Sequence, residues 1–403
     1  FGDAGHGGIT RYALSGEDKM ARAEWLRRME AIGAVIEMDD LANMYATLPG
    51  SEPGLKRIVM GSHCDSVKNG GNYDGILGVM SAMEVLETVA RENIPHRHPL
   101  TAMIFTNEEG SEFPPCMMCS GTMAHDYMPE RFRDNFAYSK MMASHSILTP
   151  EVTFGERLAA FPYKGDKANR MSPEKYKALF ETHIEQGPIL EDAGKDIGVV
   201  TCVLGQMLYR VKFHGFAAHA GTFPMKKRHD AFHAAAEALC YLHDEIDKLG
   251  DDDLVYTTGE VVIHPCVNTV IPDFFDFSID VRHENPEVLN KVREILFSLE
   301  KREWKGCKCE VILGWNRDTV YWDKKLVGYV REAVEELGIS HMDINSGAGH
   351  DAQYISYMIP TTMIFAPSDK GLSHCELEHT SAEQCTNAAS VMLNAVLKCD
   401  QED

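Results

Sequence analysis

The chain has 403 residues, 44% of them hydrophobic and 25% charged, a balance typical of a soluble globular protein with room for two domains. Its formal net charge of -22 excludes the broad basic surface that nucleic acid or an anionic membrane would require. No apolar run approaches the roughly 18 residues of a membrane-spanning helix, and no secretory signal is evident.

Helical spacing predicts a first helix from Gly16 to Ile32, with Met20, Trp25, Leu26 and Met29 on one face. Strands follow near Val35–Met38 and Asn43–Leu48, then a turn at Pro49-Gly50. Ile58-Val59-Met60 reads as a short buried strand that runs into Gly61-Ser-His-Cys-Asp-Ser66 and a glycine-punctuated loop ending at Asp74-Gly75. A helix occupies Ile76 to Arg91, and a second buried strand, Thr101–Thr106, leads directly into Asn107-Glu108-Glu109-Gly110. Residues 114 to 178 are mostly helical and irregular, and a third strand ends in Thr-His183-Ile-Glu-Gln.

The pattern changes near Gly205. A half-buried strand (Leu208–Phe213), a Gly/Ala-rich loop (Gly215–Met225) and a helix (Asp230–Leu249) precede strands at Glu260–Ile263 and Phe274–Val281. A helix (Pro286–Lys301) and a strand (Glu310–Leu313) complete a strand-helix-strand-strand-helix-strand order, that of a ferredoxin-like unit. A helix at Lys324–Leu337, a strand at Thr361–Ala366 and a helix at Ser381–Leu397 then resume the α/β character. The expected fold is therefore α/β with an inserted α+β domain: 1–204, then 205–315 inserted, then 316–403.

His63, Asp74, Glu108, Glu109, His183 and His374 all fall at or just beyond predicted strand ends. Histidine and carboxylate without thiolate suit Zn, Mn or Co. Two such ions about 3.5–4 Å apart, bridged by a carboxylate, polarise a carbonyl and generate hydroxide together. Asp65, two positions after His63, is placed to hold the ring nitrogen that a metal leaves unused. Adjacent glutamates on a loop can divide the work, one as ligand and one as base. Any of these alone reads as a surface residue or turn, and Glu108-Glu109 as an acidic helix start. Their joint placement on strand ends is what points to a metal site.

GSHCDS (61–66), GGNYDG (70–75), FTNEEGSEF (105–113), ETHIEQGP (181–188), FAAHAGTFPMKKRHDA (216–231), FSIDVRH (277–283), SGAGHDA (346–352) and GLSHCELE (371–378) occur in this order along the chain. Together they resemble the amidase/hydantoinase/carbamoylase branch of the M20 metallopeptidase-like family. The resemblance implies a zinc-peptidase-like catalytic domain with a central mixed sheet, and an inserted ferredoxin-like lid domain that joins two copies as a homodimer. It implies that Asp74 bridges two divalent ions (Zn, or Mn, Co or Ni), with His63 and His183 completing one and Glu109 and His374 the other. Glu108 is then the general base that takes a proton from metal-bound water. His219 reaches the neighbouring subunit's site as an oxyanion donor, and Arg282 clamps a substrate carboxylate. Gln206, Asn268 and His350 are further implied substrate contacts.

His183 in HIEQG separates this branch from peptidases and deacylases with a carboxylate there. That implies a ureido or related amide substrate, namely an N-carbamoyl amino acid, with allantoate, favoured by Gln206, or another N-acyl amide as alternatives. A non-catalytic binding protein that keeps the fold is the reading from a different class. Glu112 stands where relatives carry arginine, Phe223 replaces a threonine, Leu204 stands where many carbamoylases place glutamine, and Asn268 is displaced by one residue. Any of these changes bears on substrate choice without touching the metal ligands. The eleven cysteines, odd in number and scattered, suit reduced thiols in a cytoplasm. The sequence starts at Phe1-Gly2 without a methionine, and what precedes Phe1 is left open.

Overall fold

Short apolar runs buried on both faces form the centre of the larger sheet, as expected of parallel strands covered by helices. The computed structural model describes residues 1–402. It divides into two compact units, Phe1–Thr201 together with the chain from Tyr321 onward, and Cys202–Val320.

The first sheet takes β1 (Val35–Met38), β2 (Met44–Leu48), β3 (Arg57–His63), β4 (Leu100–Phe105), β5 (Tyr176–Ile184) and β6 (Ile197–Val203). The intervening segment supplies β7 (Gly205–His214), β8 (Val255–Thr257), β9 (Val261–His264), β10 (Phe274–His283) and β11 (Lys308–Arg317). After it, β12 (Val320–Tyr321), β13 (His341–Ser346) and β14 (Thr361–Ala366) return to the first sheet. Its order is β1-β2-β4-β3-β5-β14-β6-β12, with β13 beside β6. The four strands β4, β3, β5 and β14 are parallel, while β2 and β6 pair antiparallel on the flanks. The sheet is thus mixed, and its parallel core sends four carboxyl ends to one edge. In open α/β sheets that edge is where ligands bind.

The helix Ile76–Glu92 packs Leu77, Val79, Met83 and Leu86 inward. Asp74 lies just before its first turn, where the helix dipole favours a carboxylate. Gly75 between them has φ +65°, and a Cβ there would stand 2.4 Å from the His63 ring. Only glycine lets the chain turn into the helix so close to that histidine.

In Cys202–Val320 the strand order is β11-β7-β10-β8, with β9 also on β10, and every pairing is antiparallel. Alternate residues Phe275, Phe277, Ile279 and Val281 of β10 enter one core with Ala234, Ala238 and Leu242 of helix Ala231–Asp247 and Val292 and Leu296 of helix Pro286–Ser298. Asp230 caps the first helix by accepting N–H bonds from Phe232 and His233. Asn285 caps the second, with Pro286 opening it.

Two features differ from the sequence reading. The expected single strand at Glu260–Ile263 is a broken edge, with β8 and β9 pairing different parts of β10. Strands β6 and β13 have no counterpart in that reading.

Candidate metal centre

The parallel core sets His63 at the end of β3, Glu108 and Glu109 just past β4, and His183 near the end of β5. His374 comes from the loop after β14, and Asp74 from the loop after β3. Asp74 is 7% exposed and divides its carboxylate: Oδ1 lies 3.4 Å from Nε2 of His63 and 3.3 Å from Nε2 of His183. Its Oδ2 lies 3.1 Å from Nε2 of His374, which is itself 3.7 Å from Oε2 of Glu109. Two groups result, His63–Asp74–His183 and Asp74–Glu109–His374, each with ligand atoms within 4.8 Å of one another.

The remaining ring nitrogens are tied to backbone carbonyls, Nδ1 of His63 to Asp65 at 3.0 Å and Nδ1 of His183 to Ile184 at 3.0 Å. In the neutral rings this puts the proton on Nδ1 and turns the Nε2 lone pairs toward the site, as metal ligation requires. The carboxylate of Asp65 does not hold His63 as the spacing suggested: Oδ1 is 3.9 Å from its Nδ1. Instead it accepts the N–H groups of Glu108 and Glu109 at 3.3 and 3.1 Å and fixes the loop that carries both.

Charge in the site is poised for a cation. Burial works against ionisation of Asp74, but hydrogen bonds from His183, His374 and His63, once their rings are charged and carry a proton on Nε2 as well, hold its carboxyl well below the usual range. Burial pushes Glu109 up to about 7, with Asp74 adding to it. Burial also raises Glu108 well above its ordinary value. Burial opposes charge on His63, yet Glu108, Asp74 and Asp65 outweigh it and raise its pKa. The bond to Asp74 lifts His374 to about 9. Glu109 Oε1 is buried without a hydrogen-bond partner. A buried carboxylate oxygen left in that state is costly unless a cation takes it. The donor set of three imidazoles and carboxylates, with no thiolate, fits two divalent ions.

Residues 59–398 match the model of peptidase family M20/M25/M40. The chain belongs to that family. The N-carbamoyl-L-amino-acid amidohydrolase of Rhizobium meliloti is 35% identical over 395 residues, covering 97% of this chain and 91% of that protein. The allantoate amidohydrolase of Bacillus subtilis is 34% identical over 389 residues, covering 95% of this chain and 91% of that protein. A crystal structure of an amidase of the hydantoinase/carbamoylase family from Burkholderia multivorans superposes with a TM-score of 0.88 at 34% identity, covering 100% of this chain and 95% of that one.

Several contacts around these two groups were not visible as such in the sequence. Glu378 Oε1 accepts the N–H groups of Tyr73 and Asp74 at 2.8 and 3.0 Å, and its Oε2 accepts the Ser373 hydroxyl at 2.8 Å. A Cβ on Gly71 would lie 2.0 Å from that carboxylate, so the glycine makes room for it. Gln186 donates through Nε2 to Asp74 Oδ2 at 2.8 Å. Glu181, fully buried, accepts from Ser62 Oγ at 2.7 Å and from the Ala352 N–H at 3.0 Å. Asn107, Met117, Gln186 and His374 are non-glycine residues with positive φ gathered around the site, where such strain is commonly stored. Glu378 and Gln186 lie inside recognised motifs, the one signal that could have flagged them.

His350, expected as a substrate contact, is 1% exposed, bonded through Nε2 to Ser346 Oγ at 2.9 Å and edge-on to His183 at 4.5 Å between ring centroids. It packs against the ring of His183. Glu112 is also buried, accepting from Arg157 Nη2 and Ser146 Oγ at 2.9 Å each. In Cys202–Val320, Gln206 and Arg282 are cross-strand neighbours on β7 and β10, and both engage Asp280. The Arg282 fork is therefore already held, with Nε 2.8 Å from Asp280 Oδ1. Asn268 is exposed, next to Thr269, whose carbonyl accepts the N–H of Ala220 beside His219.

Proposed function

We propose that this chain is a dinuclear-metal amidohydrolase that cleaves the C–N bond of an N-carbamoyl amino acid, giving the amino acid, ammonia and carbon dioxide. The observation that carries this reading is the Asp74 carboxylate, whose two oxygens face two separate groups of ligands beside a buried Glu108. His63 and His183 would hold one ion with Asp74, and Glu109 and His374 the other. Bound there, two divalent ions, whether Zn, Mn, Co or Ni, would polarise the scissile carbonyl and acidify the attacking water. Glu108, 3.8 Å from the ligand His63 and with its pKa raised by burial, accepts the water proton and returns it to the leaving nitrogen.

Arg282, oriented by Asp280 through Nε and Nη2, would meet the substrate carboxylate with the guanidinium N–H groups that face away from that aspartate. Asn268 offers an amide beside the His219 loop. His219 acts as the oxyanion donor in the site of a second copy, so the working form is a homodimer joined through Cys202–Val320. The broken edge there, with Val255 and Val261 more than half exposed, supports such a junction. The thiol state of the cysteines supports a cytoplasmic location. Among the described residues no helix is long and apolar enough to cross a membrane.

A second reading, allantoate hydrolysis, draws on Gln206: its amide nitrogen donates to Asp280, so its carbonyl is the group that would accept a ureido N–H. The test is ammonia release by metal-loaded protein from a panel of N-carbamoyl amino acids and from allantoate. Turnover of the former with little of the latter supports the first reading, and the reverse supports the second. Release from neither, with the metal site filled, overturns both.

A further inference from the structure

His219 is exposed, so packing does not orient its ring. Its own loop does. The backbone N–H groups of Gly221 and Thr222 donate to Nδ1 at 3.0 and 3.2 Å. A ring nitrogen that accepts two hydrogen bonds presents its lone pair, so the proton of the neutral imidazole sits on Nε2. An Nε2–H aimed away from the loop is the kind of donor that a developing oxyanion needs. A Cβ on Gly221 would stand 3.3 Å from His219 Cε1, so a larger residue there would press on the ring.

The turn that delivers those two N–H groups is clamped from both sides. On one, the N–H of Ala220 donates to the Thr269 carbonyl at 2.9 Å, and that of Ile271 to the Ala218 carbonyl at 2.8 Å. On the other stands Arg228. Its Nε and Nη2 donate to the Phe223 carbonyl at 3.0 and 2.9 Å, and Nη2 also donates to the Ala220 carbonyl at 2.5 Å. One guanidinium therefore spans the two carbonyls that bracket Gly221 and Thr222. The rigid fork suits this bridging, and an ammonium, a single point charge, does not reproduce it. The bonds go to backbone oxygens, so Phe223 in place of threonine leaves them intact.

We infer that Arg228 is a positioning residue for His219, acting through the Gly221-Thr222 turn to hold the ring as the Nε2–H tautomer. This rests on the reading of His219 as the oxyanion donor.

The test is a kinetic cycle in the full-length, metal-loaded enzyme with Arg228→Ala, His219→Ala and the double variant, on the substrate found by the ammonia panel. Arg228→Ala is expected to lower kcat about 100-fold with KM nearly unchanged, the size of loss a small misplacement causes. The double variant should be no slower than His219→Ala alone, because the two act as one unit. Added guanidinium ion should restore much of the rate of Arg228→Ala and none of that of His219→Ala. Losses that multiply in the double variant, or no rescue by guanidinium, overturn the inference. Should Arg228→Ala not fold, Arg228→Lys replaces it, read by 15N spectra of histidine-labelled protein with His219 assigned by its absence in His219→Ala. Nδ1 of His219 unprotonated in wild type and mixed in Arg228→Lys supports the inference; the same tautomer in both overturns it. Full activity in His219→Ala would instead remove the oxyanion-donor reading itself, whatever Arg228 does.

Discussion

Asp65 Oδ2 lies 3.1 Å from the backbone nitrogen of Glu109, while the Asp65 carbonyl lies 3.0 Å from Nδ1 of His63. One residue thus couples His63 to the loop carrying both glutamates. Asp65→Ala keeps the carbonyl that holds His63 but removes the carboxylate that fixes the Glu108–Glu109 loop, so it should weaken metal binding and lower the rate, each by about 10–100-fold. Chelator competition and ammonia release measure the two. An unchanged metal affinity would show that other contacts fix the Glu108–Glu109 loop.

Protons and metal compete for the same groups. In the metal-free protein Glu109 is raised to about 7 and His374 to about 9. A group whose folded pKa is raised adds stability that is present at low pH and lost as pH climbs through the folded value. From these two groups, the metal-free protein therefore loses stability between about pH 5 and 9. Metal binding requires both groups deprotonated and so strengthens over the same window. The rise in melting temperature on adding metal should be larger at pH 8.5 than at pH 6. A larger rise at pH 6 would contradict this assignment of ligands.

Arg22 and Asp18 form an ion pair at 2.8 Å with both side chains fully buried. Arg22 also donates to the carbonyls of Ala42 and Phe105, the latter at the end of β4 just ahead of the glutamates. Arg22→Met leaves Asp18 buried and unpaired, so it should cost about 3–5 kcal/mol in urea unfolding. A cost below about 1 kcal/mol would mean that water reaches the pair.

Gly75→Ala places a methyl against the His63 ring at a backbone angle of +65°. The expected outcome is loss of the His63–Asp74–His183 group with the sheet intact, seen as reduced metal content at unchanged circular dichroism. Normal metal content would show that His63 can move aside.

The parts of the site legible in the sequence were those fixed by strand ends. Once β3, β4 and β5 are parallel, His63, Glu109 and His183 must meet at one edge, and short apolar runs suffice to show those strands. What spacing could not show was which atom of a residue does the work. Asp65 at two positions from His63 suggested carboxylate-to-ring contact, and the carbonyl makes it instead. Contacts set by distant packing were also invisible: Arg22 meets Phe105 83 residues away, and Glu378 reaches Asp74 across 304. His350 was implied as a substrate contact by the family resemblance alone, and its place at a helix start, packed against His183, is set by packing that spacing does not show.

In the proposed site one carboxylate, that of Asp74, serves two metal ions. Counting divalent ions per chain by elemental mass spectrometry, in wild type and in variants, tests it most directly. Wild type should hold about two ions, His374→Ala about one, and Asp74→Ala fewer than one. A wild-type chain that saturates at one ion, or an Asp74→Ala chain that still holds two, would contradict it.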